Sequence, residues 1–414
     1  MIHWITERLG TAAWSPAHLP PDISHIDVRD LLDKAGNAAS EVRSKIDQAL
    51  DCLRRGERVV VCCDYGMSRS NAIAAGILAM HDAIGLEEAI RRVLLATGEK
   101  AIKIEVLSAV RRAVGEGEAS HRSETAKGRL LVTGASGFIG SAVIRDLMRK
   151  YDVLTPTHQE IDLKSDTVLL DILVKEKGIG TILHLANPKV YTTNESLGAA
   201  LVMLKNVLDV CVENSLFFLY LSGWEIYSGY HAKELRADEA LSPRPGGTYG
   251  EAKFLSEKLI EQYCTQYGLT YTLLRSSPVY GPGSDRPRFI WNFLHKAVRN
   301  EVLVAHRYIN GFPTLDLLHV DDLRKAICSA LEHRPGGAIN LGTGVATSTT
   351  DVARLIVELV GSKSKIQHLE VEGYASNIVM DIRRAGALLG WHPAVELTQG
   401  LGALVQSALE TKTP

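Results

Sequence analysis

Charge of one sign is what this chain most lacks: 46 lysines and arginines stand against 48 aspartates and glutamates. No basic stripe for nucleic acid or an anionic bilayer is therefore present. Cysteine is sparse and unpatterned, with six residues (52, 62, 63, 211, 264 and 328), one adjacent pair and no zinc-ligand spacing. That excludes a metal-built or disulfide-built scaffold and points to a reducing compartment. Long apolar runs are missing too. The run AIAAGILAM in the first part of the chain falls short of the ~20 apolar residues that cross a bilayer. The opening MIHWITERLG shows no basic stretch followed by an apolar one, so no secretory leader is read there. The expected protein is cytoplasmic, holds no metal, and binds neither nucleic acid nor membrane.

What is present is an ordinary globular composition, 46% hydrophobic and 23% charged over 414 residues, long enough for two cores. The stretch RRAVGEGEASHRSETAKG, Arg111 to Gly128, is polar and rich in Gly, Ser and Glu, the composition of a linker. The expected division is a first domain at 1–118, a linker at 119–128 and a second domain at 129–414.

The second domain is organised around GRLLVTGASGFIG, Gly128 to Gly140, which leads into SAVIRDLMRK. An apolar run, a glycine turn and apolar residues at helical spacing read as strand, turn, helix. Gly134 allows the turn, Gly137 lets a pyrophosphate approach the backbone, and Gly140 permits close helix packing. Ser136, Phe138 and Ile139 lie between them, where a helix start presents unpaired N–H groups to an anion. Strand and helix then alternate through DVLTPTH, TVLLDILVKEK, TILHLAN, LVMLKNVLDVCVEN and LFFLYLSG, the cadence of a doubly wound parallel sheet. No acidic residue stands at Thr155–His158 to take a ribose hydroxyl, and no arginine marks a 2′-phosphate. Asp162, with Leu163 beside it, is placed near an adenine or at a helix cap. The cofactor expected is NAD(P), with a lean to NADP. Tyr249 and Lys253 are four residues apart and share one helical face, so an ammonium can favour the phenolate.

The order TGASGFIG, HLAN, LYLSGWEIY, YGEAK, LLRSSPVYGPG, LLHVDDL, INLGTG and LGWHP resembles the extended short-chain dehydrogenases/reductases, in their nucleotide-sugar epimerase/dehydratase branch. The resemblance implies a proton-transfer role for Tyr249, a ribose-binding and pKa-lowering role for Lys253, and cofactor contacts at Ala186 and around Pro278. It also implies a C-terminal part that closes over a sugar nucleotide, and a possible homodimer through this domain. One position departs. The family's second catalytic hydroxyl falls on Gly223, so the expected substitute is Ser222. Glu225 stands where dehydratases carry a glutamate, but the accompanying aspartate is Trp224, which disfavours full dehydratase chemistry.

In the first domain three valines run into Cys63-Asp64-Tyr65-Gly66-Met67-Ser68-Arg69-Ser70 and then into an apolar helix. A cysteine in a loop before a helix has its thiolate stabilised by the helix end, and a guanidinium grips phosphate through paired N–H groups. This segment resembles the signature of dual-specificity, cysteine-dependent phosphatases. The resemblance implies Cys63 as nucleophile, Arg69 as phosphoryl binder, Ser70 as the residue easing thiolate departure, and an aspartate about thirty residues earlier as general acid. Asp27, Asp30 and Asp33 are candidates, and Asp30 fits the spacing best. Cys62 stands where the family has histidine, and is read as a buried strand residue. The overall expectation is an α/β chain that joins a phosphatase for small phosphate esters to an NAD(P)-dependent sugar epimerase or reductase. The alternative is a phosphatase regulated by a dinucleotide sensor of weak catalytic power.

Overall fold

The computed structural model describes residues 2–15, 20, 22–99, 102–115, 129–284 and 286–410; the expected linker at 119–128 lies outside them. Two compact units emerge, one made of Met1–Gly128, His158–Gly178 and Lys205–Ser215, the other of the remaining segments.

In the first unit β1 (Ile2–Trp4), β2 (Leu9–Ala13), β3 (Ser24–Asp27) and β4 (Val59–Cys63) form a sheet of order β1-β2-β4-β3, with β2 and β3 parallel to β4. Strand alternation sorts β4 onto two faces. Val59, Val61 and Cys63 join the large core with α1 (Ala39–Arg54), α2 (Ser68–His81), α3 (Leu86–Thr97) and α4 (Ile104–Val114), whereas Val60 and Cys62 join Ala12 and Ile23 on the other side. The adjacent cysteines therefore face apart, and both are free thiols.

This unit also takes in α6 (Thr167–Lys177), preceded in the chain by α5 (Phe138–Lys150), and the end of α7 (Asn194–Glu213). The compact units thus do not follow a single cut in the chain. The cause is packing: Val168 and Ile172 are buried in the first core. Asp171, fully buried, pairs with Arg111 at 3.1 Å and Lys175 at 2.8 Å and accepts a bond from Asn214.

The second unit carries a six-stranded sheet in which every pairing is parallel. With β5 (Arg129–Thr133), β6 (Val153–Leu154), β7 (Ile179–His184) and β8 (Phe217–Gly223), the order is Gly337–Leu341, Tyr271–Ser276, β8, β7, β5, β6. This is the α/β parallel sheet expected from the alternating pattern. Chain order reverses between β5 and β7, and at such a switch point the strand ends leave a crevice. A separate apolar core, including Tyr280, Phe293, Leu317, Val352 and Leu404, holds the C-terminal part together. Among the described residues no helix is long and apolar enough to cross a membrane.

Candidate functional site

At the switch point Gly134 turns with φ +70°, and a Cβ there would stand 2.6 Å from Ala186 N and 2.7 Å from Leu185 C. Backbone on both sides makes glycine obligatory. A Cβ on Gly140 would overlap the Gly134 carbonyl oxygen and lie 2.7 Å from Ala135 Cα, so helix α5 sits directly on the turn. Gly137 meets only Gly134 O, at 3.3 Å, and is exposed together with Ser136. Helix α5 begins at Phe138 and Ile139 without a side-chain cap, so its first N–H groups are free for an anion. This open cradle fits a dinucleotide pyrophosphate. Ala186 N donates to Thr133 Oγ1, whose hydroxyl also meets His184 Nδ1 at 2.8 Å. Burial pushes the His184 imidazole down to about 3, so it is neutral.

Asp162 and Leu163 belong to the first unit. The Asp162 carboxylate accepts from Lys164 N at 3.0 Å, closing a turn before α6, and the Leu163 carbonyl accepts from Asn206. The Pro278 carbonyl is taken by Leu318 N at 3.0 Å.

Tyr249 and Lys253 lie on the first turns of α8 (Gly247–Tyr267). Lys253 is buried; its ammonium donates to Leu221 O at 2.8 Å and Tyr220 Oη at 3.2 Å and stands 5.7 Å from the Tyr249 ring centre. Burial works against that ammonium, but the Tyr220 and Tyr249 hydroxyls and Glu225 outweigh it and hold its pKa above the ordinary lysine value. For Tyr249 burial wins: it pushes the phenol up to about 12 against the pull of Lys253, with Glu225 adding to the rise. The expected lowering by Lys253 is real but outweighed, and at neutral pH the phenol is a proton donor. Tyr191 packs against Tyr249 at 4.9 Å between ring centres.

Ser222, expected as the substitute hydroxyl, points elsewhere. It is buried and donates to Glu257 Oε1 at 2.5 Å, and Glu257 pairs with Arg275 at 2.7 Å. The group that occupies the space beside Gly223 is Glu225, on the turn Trp224–Tyr227 after β8. Its Oε2 fills the space a Cβ on Gly223 would need, and its own Cβ lies 3.5 Å from the Cβ position of Gly250. Burial pushes its carboxyl up to about 7. Trp224 packs with the Ile226–Tyr227 cluster, and His231 stacks on Tyr374.

In the first unit the loop from Cys63 to Ser70 joins β4 to α2. Gly66 has φ +73°, and a Cβ there would overlap Ala13 N and lie 2.6 Å from Ala12 C. Gly66 N donates to Cys63 Sγ at 3.2 Å, and Ser70 Oγ lies 3.4 Å from the sulfur. Burial opposes ionisation of Cys63. Hydrogen bonds from the Ser70 hydroxyl and from the amides of Ser70, Tyr65 and Gly66 outweigh it, holding the thiol below its ordinary pKa. Cys62 goes the other way, pushed by burial up to about 11.

Arg69 is buried at the loop end; it donates to the carbonyls of Arg29 and Leu31 at 3.0 Å each and pairs with Asp64. Its Nε lies 3.9 Å from Asp33 Oδ1, a buried atom with no hydrogen-bond partner among the described residues. Asp30, favoured by spacing, is instead exposed and tied to Lys45 at 2.7 Å, while Asp27 is held by Arg29. Of the three candidate aspartates, the one beside Arg69 is thus Asp33, placed by Lys103 Nζ at 2.6 Å. Loop spacing alone gave no signal for this difference.

The family model for the NAD dependent epimerase/dehydratase family matches residues 130–342. Similar proteins include a GDP-L-fucose synthase of Sinorhizobium fredii, 27% identical over 67% of this chain and 95% of its own length. Another is UDP-glucuronic acid decarboxylase 1 of Xenopus tropicalis, 26% identical over 68% of this chain and 72% of its own length. Among solved structures, the fold is shared with the UDP-glucose 4-epimerase of Thermus thermophilus in complex with NAD. That likeness has a TM-score of 0.60 and 23% identity, over 67% of this chain and 98% of the other. With the glycine cradle at the switch point and Tyr249 and Lys253 on one helix, the matched span makes this chain a member of the NAD dependent epimerase/dehydratase family.

Proposed function

We propose that the second unit is an NAD(P)-dependent enzyme that epimerises or reduces a sugar carried on a nucleotide. The observation that carries this reading is the grouping of Tyr249, Lys253 and Glu225 beyond β8, in the same sheet as the cradle of Gly134, Gly137 and Gly140. The relatives' nucleotide-sugar chemistry supports it. The cradle and the first N–H groups of α5 would hold the coenzyme pyrophosphate, and NADP is favoured by the lack of an acidic residue at Thr155–His158. The coenzyme, when bound, supplies hydride exchange. Lys253 orients the site through Leu221 O and Tyr220 and keeps positive charge beside the phenol. Tyr249 gives its proton to the oxygen of a keto-sugar as that carbon is reduced, and takes one back in the oxidative direction. The test is incubation of purified protein with UDP-glucose and a UDP-keto-sugar. A change in coenzyme absorbance or formation of the epimer supports the reading. A protein that retains dinucleotide and never turns it over is the sensor.

A second reading concerns the first unit, and the depressed Cys63 thiol inside a loop of aimed amides favours it. That unit is a cysteine-dependent phosphatase for small phosphate esters. The Cys63 thiolate attacks phosphorus, the ester P–O bond breaks, and Asp33 protonates the leaving oxygen. Water then releases phosphate and regenerates the thiolate. Arg69 would exchange its Asp64 partner for the phosphoryl oxygens. Hydrolysis of p-nitrophenyl phosphate, abolished in Cys63→Ser, supports this; equal rates in wild type and C63S remove it.

A further inference from the structure

Three side chains stand in register across the six-stranded sheet. Thr133 of β5 pairs with His184 of β7, and His184 pairs with Tyr220 of β8. Paired residues on neighbouring strands carry their side chains on one face, so the row is continuous. Thr133 Oγ1 meets His184 Nδ1 at 2.8 Å, and the His184 ring stacks on Tyr220 with centres 5.9 Å apart and planes at 18°. Phe218, two residues earlier on β8, stacks on the same Tyr220 ring at 6.2 Å. All four side chains are buried. The row starts at the cradle, because Thr133 precedes Gly134 and its hydroxyl accepts from Ala186 N at 3.3 Å.

The row ends on Lys253. Its ammonium donates to Tyr220 Oη at 3.2 Å and lies 4.6 Å from the centre of that ring, nearer than the 5.7 Å that separates it from the Tyr249 ring. The Leu221 carbonyl takes a second N–H at 2.8 Å. An ammonium has three N–H donors, and among the described residues the third has no acceptor. With two donors anchored, rotation about Cε–Nζ stops and the third N–H keeps one direction. One turn further along α8, Glu257 meets Ser222, which shares the Tyr220 face of β8. The titratable groups around the ammonium are Tyr220 of β8, Tyr249 of α8 and Glu225 of the turn after β8, which all favour its charge, together with His184, which is neutral.

We propose that Tyr220 is a positioning residue of this site: its hydroxyl, backed by His184 and Thr133, fixes the Lys253 ammonium relative to the cradle strand, so that the charge beside Tyr249 is set before any reaction begins. Tyr220 acts through Lys253 and exchanges no proton with substrate. When Tyr249 gives up its proton, negative charge develops on the phenolate, and a cation already in place stabilises it without moving. A lysine free to swing loses part of that stabilisation to reorganisation. The catalytic consequence rests on the nucleotide-sugar reading of the second unit; the anchoring of the ammonium does not.

The test uses the full chain and the variants Y220F and K253M. Y220F keeps the ring, and with it the stacking on His184, and removes only the hydroxyl; thermal melting confirms folding. The first readout is free of turnover. In proton–nitrogen correlation spectra of protein isotope-labelled at lysine Nζ, wild type shows a slowly exchanging ammonium signal that K253M lacks, which assigns it to Lys253. In Y220F that signal is lost to fast exchange. A wild type without such a signal, or a signal that persists unchanged in Y220F, overturns the proposal. The second readout uses UDP-glucose as probe. Y220F lowers kcat about tenfold, the size of one hydrogen bond to a charged group, and leaves KM within about twofold. An unchanged kcat, or a loss that appears only as a raised KM, overturns the proposal as well. If wild type turns over no nucleotide sugar, the reading of the second unit fails, and the ammonium signal alone decides the inference.

Discussion

Replacing Ser222 by alanine separates a scaffold from a catalyst. The hydroxyl donates at 2.5 Å to Glu257 Oε1, and the Glu257 carboxylate accepts from Arg275 Nε at 3.1 Å and Nη2 at 2.7 Å. Arg275 Nη1 continues to Tyr227 Oη at 2.7 Å, and both members of the pair are buried. Removing one hydrogen bond to a buried charged group costs about 1.5–3 kcal/mol. Arg275 still neutralises Glu257, so the lower end applies, and the larger loss of an orphaned buried charge is avoided. At roughly 2–4 °C per kcal/mol for a domain of this size, the second unit of Ser222→Ala melts about 3–6 °C lower in calorimetry. Its kcat with a nucleotide sugar stays within about twofold, since Ser222 faces Glu257 and not Tyr249. An unchanged melting temperature with a 100-fold loss of kcat would refute the assignment and return Ser222 to the catalytic group.

The remaining predictions concern the first unit. Asp171→Ala removes the fully buried carboxylate that Arg111 shares with Lys175; Glu87 still pairs with Arg111 at 3.0 Å, so the unit loses about 1.5–3 kcal/mol, the value of hydrogen bonds to a charged group. Urea unfolding reads this, and a change below 1 kcal/mol would show that α6 is not integral to that core. Cys63 reacts with iodoacetamide at pH values below the ~8.5 midpoint of a free thiol, and Ser70→Ala moves that midpoint upward by removing one of the bonds that favour the thiolate. Because its folded pKa lies below the unfolded one, the associated stability is full above the unfolded value and is lost as pH falls through the folded value; a midpoint at or above that of free cysteine would contradict the loop's role. Asp33→Asn lowers kcat toward alkyl phosphates by roughly 100-fold while Asp30→Asn stays within about threefold, and the opposite ranking would restore Asp30.

What could be read in the sequence were features whose causes are local. Gly134 and Gly140 are glycines because φ and backbone overlap exclude anything else, and that constraint is written in the turn itself. The Cys63–Ser70 loop is legible for the same reason, since Gly66 turns within it at φ +73°. Features set by distant partners were not legible. Lys45 draws Asp30 outward and Lys103 holds Asp33 inward, and no spacing rule contains either lysine. Nor does composition show that Asp171, sixty positions after Arg111 in the chain, completes the first core. The case of Ser222 is different, because a signal was present. Successive side chains on a strand point to opposite faces, so the residue before Gly223 on β8 could not reach the space that Gly223 faces, whatever its chemistry. A side chain that enters that space must come from beyond the strand end, after the backbone has turned. Glu225, two residues into that turn, is the first chemically active residue able to do so.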